Sequence, residues 1–196
     1  PCYKVGCETT QLQEAAIALC INGICQSVMM ATPSDLEAFA RGFAISEGLV
    51  SESSDILHVE CARAQGGWQV EITVLAASES RLKQQRRLMA GPSGCGLCGI
   101  ASIEAAMSLP HQQKTNATNI PSLAAIQSAV VKLPKLQKQF DCTRGHHGAA
   151  FFDLDGQFIQ MAEDVGRHSA LDKLIGRLAM HTSDQSAALS GFALLT

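Results

Sequence analysis

No stretch of the 196 residues stays apolar for the ~20 positions that a membrane-spanning helix requires. Residues 1–30 hold no basic region followed by a continuous apolar stretch and a cleavage site, so no secretory leader is expected and the chain is read as cytoplasmic. Positive charge is not in excess either. Fifteen Lys and Arg against eighteen Asp and Glu leave a net charge of −3, with the signs mixed along the chain. Neither a nucleic acid nor an anionic membrane is expected as a partner, and any electrostatic site must be local. Internal repeats and low-complexity tracts are also absent, which excludes solenoids and fibrous arrays.

What is present is apolar material, 46% of the residues, enough for one large domain or two small ones with separate cores. The eight cysteines (Cys2, Cys7, Cys20, Cys25, Cys61, Cys95, Cys98 and Cys142) are scattered irregularly and do not resemble a small disulfide scaffold. Most are expected to be reduced, buried small hydrophobes. The last residues, 187-AALSGFALLT-196, are apolar and strand-like, an odd place for a domain to stop, so a domain cut short is expected.

Along the chain, 15-AAIALCINGICQSVMMA-31 has two β-compatible runs about Asn22-Gly23, which predicts a hairpin with a type I′ turn. The stretch 32-TPSDLEAFARGFAISEGLV-50 predicts a helix with Thr32 as N-cap, Pro33 at its first position and apolar residues at helical spacing. Residues 68–75 alternate as a strand. A boundary at 80–92 divides an N-terminal α+β domain, 1–90, from an α/β domain, 91–196. Within the second domain 99–109 can form a helix, and 122–133 reads as a helix halted before Pro134. A hairpin turning at Asp155-Gly156 follows, and then an amphipathic helix over 165–181. The class expected is mixed α/β.

Two constellations carry chemistry. The first is 91-GPSGCGLCGI-100, a Cys-x-x-Cys pair set among glycines and preceded by Arg81, Lys83, Arg86 and Arg87. Structural zinc needs two further ligands, and no second such pair exists, although Cys142, His146, His147 and His168 can in principle complete a site. A thioredoxin-like dithiol belongs between a first strand and a helix, and these flanks differ. Glycine on both sides suits a sulfur that must travel, and nearby cations with a helix N-terminus favour the reactive thiolate. Arg81 to Arg87 also read as one solvated helix face.

The second constellation joins 143-TRGHHGAAFFD-153 to 163-EDVGRHSALDK-173. Arg167, at a helix opening, can grip a phosphate bidentately. The plain alternatives are Asp164 as an N-cap and Asp172 with Lys173 as a surface pair. His58, His111 and His181 are assigned no role.

Together 28-VMMATPSDLEAFARGFAISEGLV-50, 91-GPSGCGLCGI-100, 143-TRGHHGAAFFD-153 and 163-EDVGRHSALDKLIG-176 resemble the formate dehydrogenase accessory protein (FdhD) family, in the expected order over nearly all of the chain. The resemblance implies a sulfurtransferase-like carrier that takes sulfur from a cysteine desulfurase as a cysteine persulfide. It passes that sulfur to the molybdenum bis(guanine dinucleotide) cofactor, a transient ligand, before the cofactor enters formate dehydrogenase. It further implies that the persulfide forms on Cys95, with Cys98 as second cysteine, in a homodimer with no permanent cofactor. The implied fold is a small α+β part joined to a three-layer α/β domain similar to cytidine deaminases, in a family whose chains continue past Thr196. Charge and position add Arg86, Arg87, His147, Arg167 and His168 as contacts to the cofactor's phosphates. The chain departs from the family pattern at Arg144-Gly145, at an extra His146, and at Ser169 where asparagine is common. A zinc deaminase is the less fitting reading, since Pro92 is not adjacent to Cys95 and the Cys pair precedes both histidine motifs. A metal-binding or redox-dithiol module is the remaining alternative.

Overall fold

The computed structural model describes residues 12–75, 120–182 and 190–196. The expected helix at 99–109, the domain boundary, and Cys95, Cys98, Arg86 and Arg87 lie outside these residues. Helices are numbered below over the described residues.

Strands β1 (Ala15–Ile21) and β2 (Ile24–Ala31) form the expected hairpin, with Asn22 and Gly23 both at positive φ (45° and 76°), as a type I′ turn demands. Strands β3 (Ile56–Ala64) and β4 (Gly67–Val74) form a second hairpin, and β4 lies parallel to β1, giving the order β2-β1-β4-β3. Alternation turns Ile17, Leu19 and Ile21 of β1 and Val70, Ile72 and Val74 of β4 into one core. Helix α1 (Leu36–Ser46) closes that core with Leu36, Phe39, Ala40, Phe43 and Ala44.

The other half is a three-stranded antiparallel sheet, ordered β6-β5-β7, of β5 (His147–Asp153), β6 (Phe158–Asp164) and β7 (Gly191–Leu195). Helix α2 (Leu123–Leu136) covers one face, packing Ala129 and Leu133 on Phe152 and Met161, and runs into the short α3 (Lys138–Thr143). Helix α4 (Arg167–Thr182) covers the other face with Ala170, Leu174 and Leu178. Its far side meets α1, so the layers run sheet, α1, α4, sheet, α2. Two glycines permit the crossing. A Cβ at Gly42 of α1 would stand 1.7 Å from the Asp172 carbonyl oxygen, and one at Gly176 of α4 would stand 1.8 Å from that of Ala38.

The expected mixed α/β class is found, but several local expectations fail. Thr32 is not the N-cap of α1; the position before the helix is Asp35, in left-handed backbone, with its carboxylate turned to Arg177 instead of capping. Pro134 does not halt α2, which runs on to Leu136. The proline is exposed, so the carbonyl that loses its donor can be hydrated, while Leu133 and Leu136 on either side hold the helix against the sheet. The Asp155-Gly156 turn exists within a longer loop, where the Asp153 carboxylate accepts from the N–H groups of Asp155 (3.0 Å) and Gln157 (2.7 Å). Asp172 and Lys173 are not a surface pair, because both are buried. Nor, among the described residues, are the cysteines mostly reduced: Cys20 is bonded to Cys25, brought opposite it by the hairpin register, and Cys142 is also disulfide-bonded.

Candidate functional site

The strand register brings the two histidine motifs together. His147 opens β5 directly opposite Asp164, which ends β6, and α4 begins three residues later with Arg167 and His168. All three sequence-predicted groups therefore sit at one end of the three-stranded sheet. His147 is half-buried, its Nδ1 2.8 Å from the Thr196 carbonyl oxygen, while Arg167 and His168 are exposed in the first turn of α4.

Beneath them is a buried polar node that sequence reasoning missed. Asp164 and Lys173 are both fully buried and ion-paired at 2.6 Å. Removing two charges from water is costly unless each is fully satisfied. Here Asp164 Oδ2 also accepts from the Thr32 N–H at 3.0 Å, and Oδ1 accepts from the Gly166 N–H at 2.9 Å. Lys173 Nζ donates to the Thr32 carbonyl oxygen at 2.8 Å and lies 6.0 Å from the centre of the Phe39 ring. Burial pulls the Lys173 ammonium below its ordinary range, and the Asp164 carboxylate works against that shift. Thr32 links the halves of the molecule: its main chain and hydroxyl, at the end of the first hairpin, are held by β6, by the turn after it and by α4.

His146 extends the node. The Thr143 hydroxyl donates to the Gln139 carbonyl oxygen (2.8 Å), so toward His146 Nδ1, 2.7 Å away, it must accept. The proton is therefore on Nδ1. Nε2 accepts the Thr32 hydroxyl proton at 3.2 Å, and that same oxygen accepts the Val165 N–H. Burial lowers the pKa of His146 below 6.5, helped by Lys173 and opposed by Glu163 and Asp164, which is consistent with a neutral ring. The Glu163 carboxylate itself accepts from the N–H groups of Gln139 and Phe140, both at 2.9 Å, anchoring the start of α3.

A cavity of about 300 Å³ opens above this node, lined by Phe140, Arg144, His146, His147 and Thr196 among others. Arg144, in left-handed backbone after α3, lays its guanidinium 5.2 Å from the centre of the Phe140 ring and is exposed. A cavity walled by a guanidinium, an imidazole and an aromatic face can hold a planar or anionic group. Arg144 and His146 are among the positions where the chain departs from the family pattern, and the sequence offered them no place among the expected phosphate contacts.

Elsewhere the α1–α4 contact holds further buried ionisable groups. The Ser46 hydroxyl donates to Asp172 Oδ1 at 2.7 Å, and burial, aided by the nearby Glu47 carboxylate, pushes the Asp172 carboxyl up to about 6. Arg177 reaches both Asp35 and the Met161 carbonyl oxygen. One His-x-Glu triplet, an element of the zinc-deaminase signature, does stand ahead of the Cys pair, His58-Val59-Glu60 on β3; both outer side chains are exposed. Among the described residues no group of three His, Cys, Asp or Glu side chains is placed to hold a metal ion. None of the described helices is long and apolar enough to cross a membrane.

The sequence profile of the FdhD/NarQ family matches residues 12–194. A sulfur carrier protein FdhD from Cupriavidus necator is 42% identical over 184 residues, covering 94% of this chain and 62% of the relative. A protein of the same name from Burkholderia mallei is 43% identical over 190 residues, covering 94% and 68%. The crystal structure of a Desulfotalea psychrophila protein, assigned as a formate dehydrogenase accessory protein, superimposes with a TM-score of 0.59 at 20% identity, over 94% of this chain and 62% of that one. At that identity the likeness is one of fold. The chain spans less than two thirds of the length of the Cupriavidus necator relative and of the solved chain.

Proposed function

Because the chain belongs to the FdhD/NarQ family, we propose that it is a sulfur carrier for formate dehydrogenase, taking sulfur from a cysteine desulfurase onto Cys95 and delivering it to the molybdenum bis(guanine dinucleotide) cofactor. The observation that carries this reading is the Cys95-x-x-Cys98 motif inside the matched residues 12–194, together with relatives whose name is sulfur carrier protein FdhD. In the loading step the Cys95 thiolate attacks the outer sulfur of the donor's persulfide. A new S–S bond forms on Cys95, the donor cysteine leaves as a thiolate, and no net oxidation occurs.

The acceptor cofactor is cargo, bound in passing and rich in phosphate. His147, Arg167 and His168, gathered at one end of the three-stranded sheet, supply donors suited to it, and Arg86 and Arg87 bring further cations close to Cys95 in sequence. The exposed Arg144 beside His147 adds one more guanidinium at the same end. The working state in this reading is a homodimer in the cytoplasm.

Incubating the protein with a cysteine desulfurase and cysteine, then recording an intact mass, tests the proposal. One added sulfur is expected, removed by reductant and prevented by Cys95→Ser. An unchanged mass, with stoichiometric zinc on the purified protein or a Cys95–Cys98 disulfide in its place, overturns it. Single substitutions of Cys95 and Cys98, assayed for formate dehydrogenase activation, then separate their roles.

A further inference from the structure

We propose that Cys20 and Cys25 form a second thiol–disulfide site, separate from Cys95 and Cys98: a reversible couple that a dithiol opens by attack at Cys25. Cys20 faces Cys25 one step back from the Asn22-Gly23 turn. In a hairpin with a two-residue loop the closing pair, Ile21 with Ile24, is hydrogen-bonded. The next pair is of the other type, in which opposed side chains approach most closely. The turn chemistry thus presents the two sulfurs to each other.

Their surroundings differ. Cys25 is exposed on β2, an edge strand of its sheet, while Cys20 is 1% exposed. An incoming thiolate can reach Cys25 alone. It forms a bond to Cys25 Sγ, the Cys20–Cys25 bond breaks, and the electron pair leaves on Cys20 Sγ, which takes a proton from water. The second thiolate of the dithiol attacks the mixed disulfide, closes its own S–S bond and releases the Cys25 thiolate, protonated in turn. Two electrons and two protons pass from the dithiol to the protein.

The hairpin does not need the bond. The Asn22 N–H donates to the Ile72 carbonyl oxygen at 3.0 Å, the Asn22 side chain accepts from the Val74 N–H at 3.0 Å, and the Gly23 N–H donates to the Glu71 carboxylate. A cross-link closing so short a loop also removes little freedom from the unfolded chain, so it contributes little as a staple. A bond that is accessible on one side and dispensable for the fold suits exchange.

The test is alkylation and peptide mapping of the folded chain in a Cys95→Ser/Cys98→Ser background, so that its outcome is independent of the sulfur-carrier reading. Without reductant neither Cys20 nor Cys25 takes the label. Graded dithiothreitol exposes both together with no loss of circular dichroism, and oxidised dithiothreitol closes them again. In the single variants, Cys25 in Cys20→Ser reacts with a bulky maleimide on the order of tenfold or more faster than Cys20 in Cys25→Ser, because access governs the rate. The proposal is overturned if the bond resists dithiothreitol until the protein unfolds, if both thiols label without reductant after oxidation, or if the two rates are equal.

Discussion

Replacing Asp172 with Asn should stabilise this protein at neutral pH and slightly destabilise it in acid. Asp172 is 8% exposed at the α1–α4 contact, and burial, assisted by Glu47 and Asp164, raises its carboxyl from 3.8 to about 6 although the Ser46 hydroxyl bonds it. The native state therefore holds the proton more tightly than the unfolded chain, and stability falls as pH rises from about 4 through about 6. Above that window both states are ionised and the full cost of the buried charge is present, about 3 kcal/mol at ~1.4 kcal/mol per pH unit. Asn has the same shape and can still accept from Ser46, but it brings an NH₂ that must find a partner, which takes back about 1 kcal/mol or more. The net expectation is a gain of about 1–2 kcal/mol at pH 7.5 that shrinks as pH falls and becomes a loss of about 1 kcal/mol below pH 4, where no charge is relieved and only the cost of the NH₂ group remains. Urea unfolding of both proteins across that range measures it. A variant less stable at every pH, or a difference that does not change with pH, would refute the reasoning, because it would mean that no buried charge is being relieved.

Three further outcomes follow from the same contacts. His146 should titrate below 6.5 by NMR; since its native pKa is depressed, the stability it contributes is complete above 6.5 and is lost as pH falls below that value, and a measured pKa at or above 6.5 would contradict a ring held neutral by burial. Gly42→Ala and Gly176→Ala should each cost about 3 kcal/mol or more, the upper end for overpacking, because each Cβ meets a main-chain oxygen that cannot rotate away; a loss near zero in thermal unfolding would show that the helices separate freely. Lys173→Met should cost about 3–5 kcal/mol by stranding the buried Asp164 carboxylate, and adding Asp164→Asn should return part of that loss in urea unfolding; additive losses would mean the pair is not coupled.

The elements that local chemistry specifies were legible in the sequence. Asn22-Gly23 admits only the tight hairpin turn it forms, and the alternation in 68-WQVEITVL-75 made β4 plain. Where the sequence misled, a distant partner had overridden a local preference. Thr32 and Asp35 carry side chains that cap helices, yet Thr32 is taken by Asp164, His146 and Lys173, and Asp35 by Arg177, partners 114 to 142 positions away in the chain. The pair Asp172 and Lys173 reads as surface charge because nothing local reveals that α1 crosses α4 at that level. The Cys20–Cys25 bond was missed although the predicted hairpin register already placed the two residues opposite each other.

Two of the segments that made the family legible turn out to be partners in packing. The segment 28–50 supplies Thr32, Asp35, Gly42 and Ser46; the segment 163–176, with Arg177 just beyond it, supplies Asp164, Lys173, Asp172 and Gly176. These residues meet pairwise: Thr32 on Asp164 and Lys173, Asp35 on Arg177, Ser46 on Asp172, Gly42 under Asp172, Gly176 under Ala38. A motif of this kind is specific because a buried ion pair and two backbone contacts without room for a Cβ tolerate few alternatives, and none of that requires contact with a substrate. The two sets of residues should then differ in how they fail. Changes at Lys173 or Gly42 lower activity through the fraction of molecules folded, whereas in the proposed mechanism Cys95→Ser removes the sulfur acceptor itself. In that mechanism what the node contributes is position. The turn it fixes, held by the Asp164 bond to Gly166, leads directly into Arg167 and His168, so the exposed donors at that end of the sheet inherit their placement from buried charges beneath them.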